Sequence, residues 1–165
     1  MMRIGIILIS LLLSGCNIYS FSGASIEAGV KKVRVKTFSN QANLVVPALS
    51  QKLTISLKNK FITYTNLILT DEADTDLDFT GAITEYRVTA VAAQAGETVA
   101  LNRLTITVTV NFKNNRNEKQ SWETSFSRFA DFDSNKDLAI VQDALIDDIA
   151  DQISEAIFQK AVVNW

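Results

Sequence analysis

The chain has 165 residues, with 16 lysines and arginines against 18 aspartates and glutamates, and its formal net charge is -2. A weakly acidic chain lacks the strong positive field of a general nucleic-acid binder, so we expect no nucleic-acid partner. There is no histidine, and Cys16 is the only cysteine. This composition excludes the usual zinc ligand sets, histidine-based triads and, once Cys16 is assigned below, thiol nucleophiles. We therefore predict that the protein is not an enzyme and has no metal or cofactor.

The first fifteen residues are organised like a secretory signal. Arg3 precedes an apolar run that ends at Leu13 and is too short to span a bilayer as a mature helix. The sequence Leu-Ser-Gly-Cys that ends at Cys16 looks like a bacterial lipobox, in which a peptidase cuts before the cysteine and acyl chains are attached to it. The alternative is an ordinary signal with an incidental cysteine. The predicted division is a removed signal, residues 1–15, a lipidated spacer, residues 16–28, and a single domain, residues 29–165.

A strand and a helix are predicted next. Val33, Val35 and Thr37 alternate with basic residues, which predicts a first strand with these three on its inner face. Further along, apolar residues recur every three or four positions as far as Phe61. Pro47 suits a first helical turn, so we predict that a helix begins there.

The middle of the chain predicts three more strands. The first contains Phe79, and its apolar parity shifts after Ile83 to Tyr86, which predicts a β-bulge near Thr84 and Glu85 or a bent strand. The next strand alternates apolar and polar residues strictly from 103 to 112. Its polar face is rich in threonine, and the sequence leaves open whether this face is bare or part of an interface. A turn at 114–117 leads to a strand from 122 to about 130.

The last part of the chain predicts a long helix. Ser134 and Asp137 resemble a capping box at its start. An apolar stripe follows, formed by Val141, Leu145, Ile149, Ile153 and Ile157. The predicted element order is β-α-β-β-β-α. This order predicts an α+β fold, a two-layer sandwich of a four-stranded mixed or antiparallel sheet and two helices.

Carboxylates form two groups. On the last helix, like charges recur every four residues, which costs a few tenths of a kcal/mol per pair. This stripe is either a water-facing side opposite the isoleucines or a docking surface for a basic partner, and its role stays open. Asp74, Asp76 and Asp78 partly match a calcium loop, but Phe79 stands where the loop requires glycine, so we favour a solvated turn. The members of the stripe are Asp143, Asp147, Asp151 and Glu155.

Six segments of the chain together carry a family resemblance, although no single one would be specific alone. They are Tyr19 to Ile26, Leu77 to Ile83 with Tyr86, Ala95-Gly96, Asn102 to Val108, Ser125 to Asp131, and Ala161 to Trp165. With these segments the chain resembles the LptE-like lipopolysaccharide-assembly lipoproteins of the Bacteroidetes type, and the resemblance covers essentially the whole chain after the signal.

The resemblance implies a four-stranded sheet with two helices and a role without catalysis. It implies an outer-membrane lipoprotein that plugs and helps assemble the LptD β-barrel, with lipopolysaccharide as a second candidate partner and a lipid anchor on Cys16. Asn17 follows the cysteine where inner-membrane lipoproteins of enterobacteria carry aspartate, which favours the outer membrane. The domain is then expected to face the periplasm or to lie within the barrel lumen.

Basic side chains are the candidate contacts to the partner or the glycolipid, because arginine and lysine pair strongly with phosphates and carboxylates. Lysines near strand edges also simply prevent aggregation. No local motif assigns lipopolysaccharide contacts here. The candidates that we single out from the sheet and its turn are Arg87, Arg103, Lys119 and Arg128.

Two other function classes stay open at this point. A tethered α/β domain also suits a periplasm-facing lipoprotein that regulates another envelope enzyme, such as a cell-wall synthase. The acidic stripe on the last helix weakly suggests a carboxylate-dependent hydrolase, although no surrounding motif supports one. The partner that the protein retains in the membrane distinguishes a barrel-assembly lipoprotein from a regulator of another enzyme.

Overall fold

The structure of the protein is a computed structural model that describes residues 26–92 and 100–162. Cys16 and the predicted signal lie outside the described residues, so the predicted division of the chain stays a prediction. The described residues form one sheet with two helices against one of its faces. None of the described helices combines the length and the apolar composition that crossing a membrane requires.

The sheet is mixed, with the order β3-β1-β4-β5-β6 and the short β2 beside β4. β1 is parallel to β3 and β4, and β4, β5 and β6 are antiparallel. The strands are β1 Lys32–Val35, β2 Ser39–Asn40, β3 Ile68–Leu69, β4 Leu77–Val91, β5 Leu101–Asn114 and β6 Trp122–Asp133. The helices are α1 Pro47–Tyr64 and α2 Leu138–Val162, and a 3-10 turn spans Glu118–Gln120.

The predicted α+β class with two helices is confirmed, but the predicted number of four strands is wrong. The described residues contain six strands. β2 and β3 have two residues each, which is too short for an alternating pattern to reveal them. β6 also runs to Asp133, beyond its predicted end near residue 130.

The predicted bulge in β4 is confirmed. The register between β4 and β5 shifts between Ile83 and Glu85. One extra residue in one strand reverses which side chains face the core. Ile83 before the shift and Tyr86 after it are therefore both buried.

Apolar side chains fill the space between the helices and one face of the sheet. β5 contributes five alternate residues, from Leu104 to Phe112, that are at most 1% exposed. Phe79 stacks on Phe112 with ring centroids 4.7 Å apart and contacts Phe61 of α1 at 5.1 Å. Thr37, which we predicted on the inner face of the first strand, is exposed, because β1 ends at Val35 and buries Phe38 instead.

Helix α2 begins later than the sequence predicts. The Asp137 carboxylate accepts a hydrogen bond from the Ala139 amide at 2.9 Å, so Asp137 caps the helix. The predicted capping box with Ser134 is wrong, because Ser134 lies in the preceding turn and its amide donates to the Ala100 carbonyl. The predicted apolar stripe is buried from Ile149 onwards, while its first two members are half-buried.

One end of the sandwich, which we call the tether end, is where the described chain begins. Ile26 and Val30 line a cleft there with Tyr64, the last residue of α1, and Leu67, which follows the helix. The same end holds the turn between β5 and β6. The connection between β4 and β5 lies at the opposite end, about 45 Å away for strands of 14 and 15 residues.

Candidate partner-binding face

The sheet face that points away from the helices is polar and has no described element over its centre. We call it the open face. Side chains alternate between the two faces along a strand. The buried apolar residues of β5 face the core, so the threonines between them point to the open face. The open-face residues of the three long strands are Asp78, Thr80, Ala82, Thr84, Glu85, Arg87, Thr89 and Val91 of β4, Leu101, Arg103, Thr105, Thr107, Thr109, Asn111 and Lys113 of β5, and Glu123, Ser125, Ser127, Phe129, Asp131 and Asp133 of β6.

Hydroxyl groups on the open face bond to one another across the strands. Thr107 lies at the centre. Its hydroxyl is 2.8 Å from a Glu85 carboxylate oxygen and 3.0 Å from the Ser127 hydroxyl, and it can donate its single proton to one of them at a time. One residue pair further along, the Thr109 and Ser125 hydroxyls are 2.9 Å apart. Such cross-strand pairs contribute a few tenths of a kcal/mol each. The centre of the open face thus consists mainly of uncharged hydroxyl groups that donate and accept hydrogen bonds.

Two arginines on the open face are bound by carboxylates of the same chain. Arg103 binds Asp131 with two hydrogen bonds of 2.7 and 2.8 Å, and its guanidinium lies 3.6 Å from the centre of the Phe129 ring. This bond lowers the pKa of Asp131. Arg87 binds Glu85 at 2.7 Å, and this hydrogen bond, with that from Thr107, lowers the pKa of Glu85. The charges of Arg87 and Arg103 are therefore balanced by carboxylates on the same face.

The four predicted contact residues do not form one cluster. Arg87 and Arg103 lie on the open face, whereas Arg128 pairs with Ile106 on the face that the helices cover. Lys119 lies in the 3-10 turn at the tether end. Arg128 and Phe126 are two residues apart in β6, so the alternation in the sequence already indicated that they share a face. Whether any of the four contacts a partner stays a prediction.

The tether end is held by a carboxylate that binds three donors. Asp76 Oδ2 accepts the backbone amides of Lys31 and Lys32 at 2.7 and 2.9 Å, and Asp76 Oδ1 accepts Arg116 Nε at 2.5 Å. Burial alone would raise the pKa of Asp76, but these bonds outweigh it and lower the pKa to about 2. We call this arrangement the Asp76 clamp. It joins the start of β1 to the turn after β5.

The acidic turn is occupied by internal ion pairs. Arg34 and Asp78 form a pair at 2.6 Å, with side chains only 13% and 11% exposed. Lys32 binds Glu72 at 3.1 Å. Within the ranges 26–92 and 100–162, no group of three or more potential ligand side chains is arranged for a metal ion. Since Asp76 and Asp78 already bind guanidinium groups, their carboxylates act as structural acceptors.

The acidic stripe of α2 forms ion pairs with α1. Lys52 lies 3.4 Å from Asp143 and 2.8 Å from Asp147, and Lys60 lies 2.9 Å from Asp151 and 3.0 Å from Glu155. Each lysine thus separates two like charges, and the two helices run side by side in the same direction. The stripe therefore lies opposite the isoleucines on the exposed side of α2, as the water-facing interpretation had it, with side chains 42–83% exposed, and two lysines of α1 reach across to it.

The comparisons with known proteins agree with this architecture. The family model for LptE, described as lipopolysaccharide-assembly, matches residues 30–161. A rare lipoprotein B from Shewanella oneidensis has a similar structure, with 13% identity, a TM-score of 0.53, and coverage of 78% of this chain and 92% of that one. A lipoprotein B from Nitrosomonas europaea is similar with 12% identity, a TM-score of 0.53 and 88% coverage of both chains.

A protein from Xanthomonas campestris is also similar, with 11% identity, a TM-score of 0.53, and coverage of 85% of this chain and 90% of that one. At such identities the likeness shows a shared fold only. A comparison with curated protein sequences finds no match.

Proposed function

Because the chain belongs to the LptE family of lipopolysaccharide-assembly proteins, we propose that it is an outer-membrane lipoprotein that plugs and helps assemble the LptD β-barrel and thereby supports lipopolysaccharide transport to the cell surface. The match to the family model over most of the chain is the observation that carries this proposal. The role requires no catalysis. The partner is a protein barrel, and the membrane attachment is covalent lipid on Cys16.

The orientation of the domain relative to its lipid attachment supports this role. Ile26 lies ten positions after Cys16, so the spacer spans at most about 35 Å. The domain is therefore held at its tether end close to the membrane surface, and its long strands point away from the attachment. Several acyl chains attach a protein firmly, whereas one alone binds reversibly. A domain attached at one end and elongated in the other direction suits insertion into a barrel that opens at the same membrane.

The chemistry of the open face also supports this role. Outer-membrane barrels have polar interiors, so a plug needs a polar surface that does not carry unbalanced charge into the lumen. The hydroxyls around Thr107 meet that need, and the bonds of Arg87 and Arg103 to carboxylates neutralise the two arginines within the face. We expect the open face to contribute much of the contact with the barrel wall.

Lipopolysaccharide is the second proposed partner. Its phosphates attract arginine and lysine. Arg103 and Arg87 would have to exchange an internal carboxylate for a phosphate, whereas Lys119 and Arg128 form no ion pair with any side chain in the described part of the chain. Among our four candidates we therefore expect Lys119 and Arg128 to contribute more to glycolipid binding.

Co-purification from native membranes in mild detergent tests the proposal. We expect the protein to recover a large β-barrel identified as LptD by mass spectrometry. A protein that purifies alone, or that instead retains a cell-wall synthase, would contradict the proposal, and the second result would support the regulator interpretation.

Replacement of the lipidated residue provides the control for membrane attachment. We expect Cys16→Ala to leave the outer-membrane fraction and to accumulate as a precursor. Ser14→Ala, which retains a small residue before the cysteine, should fractionate like the original protein. Unchanged fractionation of Cys16→Ala would contradict lipidation.

A further inference from the structure

In the described part of the chain, the sheet has one long free edge. β6 has 12 residues and pairs with β5 on one side only, whereas the strand at the other edge, β3, has two residues. An edge strand presents unpaired N–H and C=O groups that attract another strand, and proteins commonly protect long edges with lysine, proline, a bulge or an inward-pointing charged residue. β6 contains neither lysine nor proline, its register with β5 is continuous, and its one inward-pointing charged residue, Arg128, covers a single carbonyl of the edge.

The orientation of β5 shows which groups of β6 point outwards. The Thr107 carbonyl accepts a hydrogen bond from the Thr84 hydroxyl of β4 at 3.3 Å. The Thr109 carbonyl also points at β4, because a Cβ added to Gly81 would collide with it. Each residue of an antiparallel strand directs its N–H and C=O to the same neighbour. Thr107 and Thr109 therefore bond to β4 and not to β6.

Their partners in β6 must then point away from the sheet. Ser127 pairs with Thr107 and Ser125 with Thr109, in pairs that do not exchange backbone hydrogen bonds. The Ser127 carbonyl confirms this direction, because Arg128 Nη1 folds over the edge and donates to it at 2.8 Å. By the same alternation, one set of residues forms what we call the rim, namely Glu123, Ser125, Ser127, Phe129 and Asp131.

We propose that the rim binds an extended segment of a protein partner as an additional strand of the sheet. The rim offers five N–H and five C=O groups over about 27 Å, which matches eight or nine residues of an extended chain. In the ranges 26–92 and 100–162, only the Ser127 carbonyl has a hydrogen-bond partner among these ten groups. Main-chain bonds of this kind provide affinity, and alternate side chains provide specificity.

Charge argues against a second copy of this chain as the occupant. In an antiparallel pair of identical strands centred on Ser127, Glu123 faces Asp131. In the pair centred on Arg128, Glu123 faces Asp133 and Arg128 faces its own copy. Like charges directly opposite each other destabilise a strand pair. The rim instead fits a segment with a basic residue opposite Glu123, because Asp131 at the other end already binds Arg103.

This inference rests on the proposed function, because it identifies how the barrel partner retains the lipoprotein. All strands of a closed barrel are paired with each other, so a barrel has no free edge to offer. The added strand therefore belongs to a loop or a terminal segment of the partner that carries lysine or arginine. The Arg128 side chain, which covers the Ser127 carbonyl in the free protein, moves aside when the segment binds.

Residue-resolved hydrogen exchange on the full lipidated protein, purified alone and in complex with its barrel, tests the inference. We expect the rim amides of Ser125, Ser127 and Phe129 to exchange at least tenfold more slowly in the complex. The amides of Phe126 and Arg128 bond to β5 and should be protected in both samples, which makes them an internal control.

Two results would overturn the inference. Rim amides that exchange equally fast in both samples show that no strand is added. Rim amides that are already protected in the isolated protein show that the chain's own residues occupy the rim. Recovery of no barrel at all contradicts the proposed function, and the inference then falls with it, whereas a recovered barrel with unprotected rim amides contradicts the inference alone.

A proline on the rim provides an independent test. Ser127→Pro removes an N–H that points outwards, so it leaves the bonds between β5 and β6 in place. We expect at least a tenfold loss of barrel recovery, while Ser127→Thr, which retains the N–H, recovers the barrel normally. A folded Ser127→Pro protein with full recovery would overturn the inference. Where the proline variant does not fold, hydrogen exchange on the unaltered protein decides the question.

Discussion

The two faces of the sheet are built from the same strands and differ in almost every respect. On the covered face, Val108 and its neighbours are fully buried against helices. Thr109 is the next residue and lies on the open face, where its hydroxyl forms a 2.9 Å hydrogen bond with the Ser125 hydroxyl. Burial of apolar area provides most of the stability of a fold, whereas an exposed hydrogen bond contributes little net free energy. One face of β5 therefore stabilises the domain, and the other is available for recognition.

The largest effect should come from the aromatic core under the helices. Phe79 is fully buried and contacts both Phe61 and Phe112. We expect Phe79→Ala to lower the free energy of unfolding by about 3–5 kcal/mol, because it leaves a cavity between the layers. Thr80→Ala, at the next position on the open face, should change it by no more than about 0.5 kcal/mol. Denaturant titrations of both variants check this contrast, and equal losses would refute it.

The second-largest loss of stability should come from replacing Asp76 at the tether end. Asp76→Asn removes the charge that binds Lys31, Lys32 and Arg116, and we expect a loss of about 2–3 kcal/mol. The pKa of Asp76 is about 2 in the folded protein and 3.8 as its ordinary value. The stabilisation is therefore complete above about pH 4 and is lost as the pH falls from about 4 to about 2.

Unfolding measured across this pH range checks the Asp76 prediction. The Asp76→Asn protein should lose less stability on acidification than the original chain. Asp137→Asn is the matched control, because it changes an exposed carboxylate that caps α2 and asparagine also caps helices well. Identical acid profiles for the original and Asp76→Asn proteins would contradict the assignment.

Exchanging the chemistry of two adjacent residues tests the comparison of the faces directly. Val108→Thr places a hydroxyl among apolar side chains, and we expect a loss of about 2 kcal/mol. Thr109→Val removes one hydroxyl from the open face and should change the free energy of unfolding by at most about 0.5 kcal/mol. Calorimetry measures both. Equal losses would mean that the open face is packed like a core.

One predicted effect, smaller than the losses above, has the opposite sign. Ser154 of α2 is fully buried, and its hydroxyl has no hydrogen-bond partner in the described part of the chain. An unsatisfied buried hydroxyl costs free energy. We expect Ser154→Ala to raise the free energy of unfolding by about 1 kcal/mol, and Ser56→Ala on α1, which is only half-buried, to have no measurable effect. A destabilised Ser154→Ala protein would indicate that the Ser154 hydroxyl forms an internal hydrogen bond.

Local patterns predicted the long elements well. The alternation of β5, the parity shift after Ile83 and the helical start at Pro47 depend on neighbouring residues, and the structure confirms all three. The sequence could not reveal β2 and β3, because two residues define no period. It also could not choose between Ser134 and Asp137 as the cap of α2, because either side chain can accept an amide hydrogen bond.

The candidate site was predicted less completely, because it depends on contacts between distant segments. The pairing of Lys52 with Asp147 joins residues 95 positions apart, and no local pattern predicts such a pair. The threonine face of β5 was visible in the sequence, but its hydroxyl bonds to Ser125 and Ser127 required the register with β6. The face of Arg128, in contrast, could have been predicted from its two-residue spacing to Phe126.

The Asp76 clamp also has a mechanical consequence. In the proposed lipid-anchored protein, any pull from the membrane enters the domain at residue 26 and reaches β1 through Lys31 and Lys32. Because Asp76 holds both amides and immediately precedes β4, the force passes into a central strand and does not peel β1 from the sheet. The bonds between parallel β1 and β4 are then loaded in shear, all at once. The clamp thus connects the attachment point directly to a central strand of the sheet.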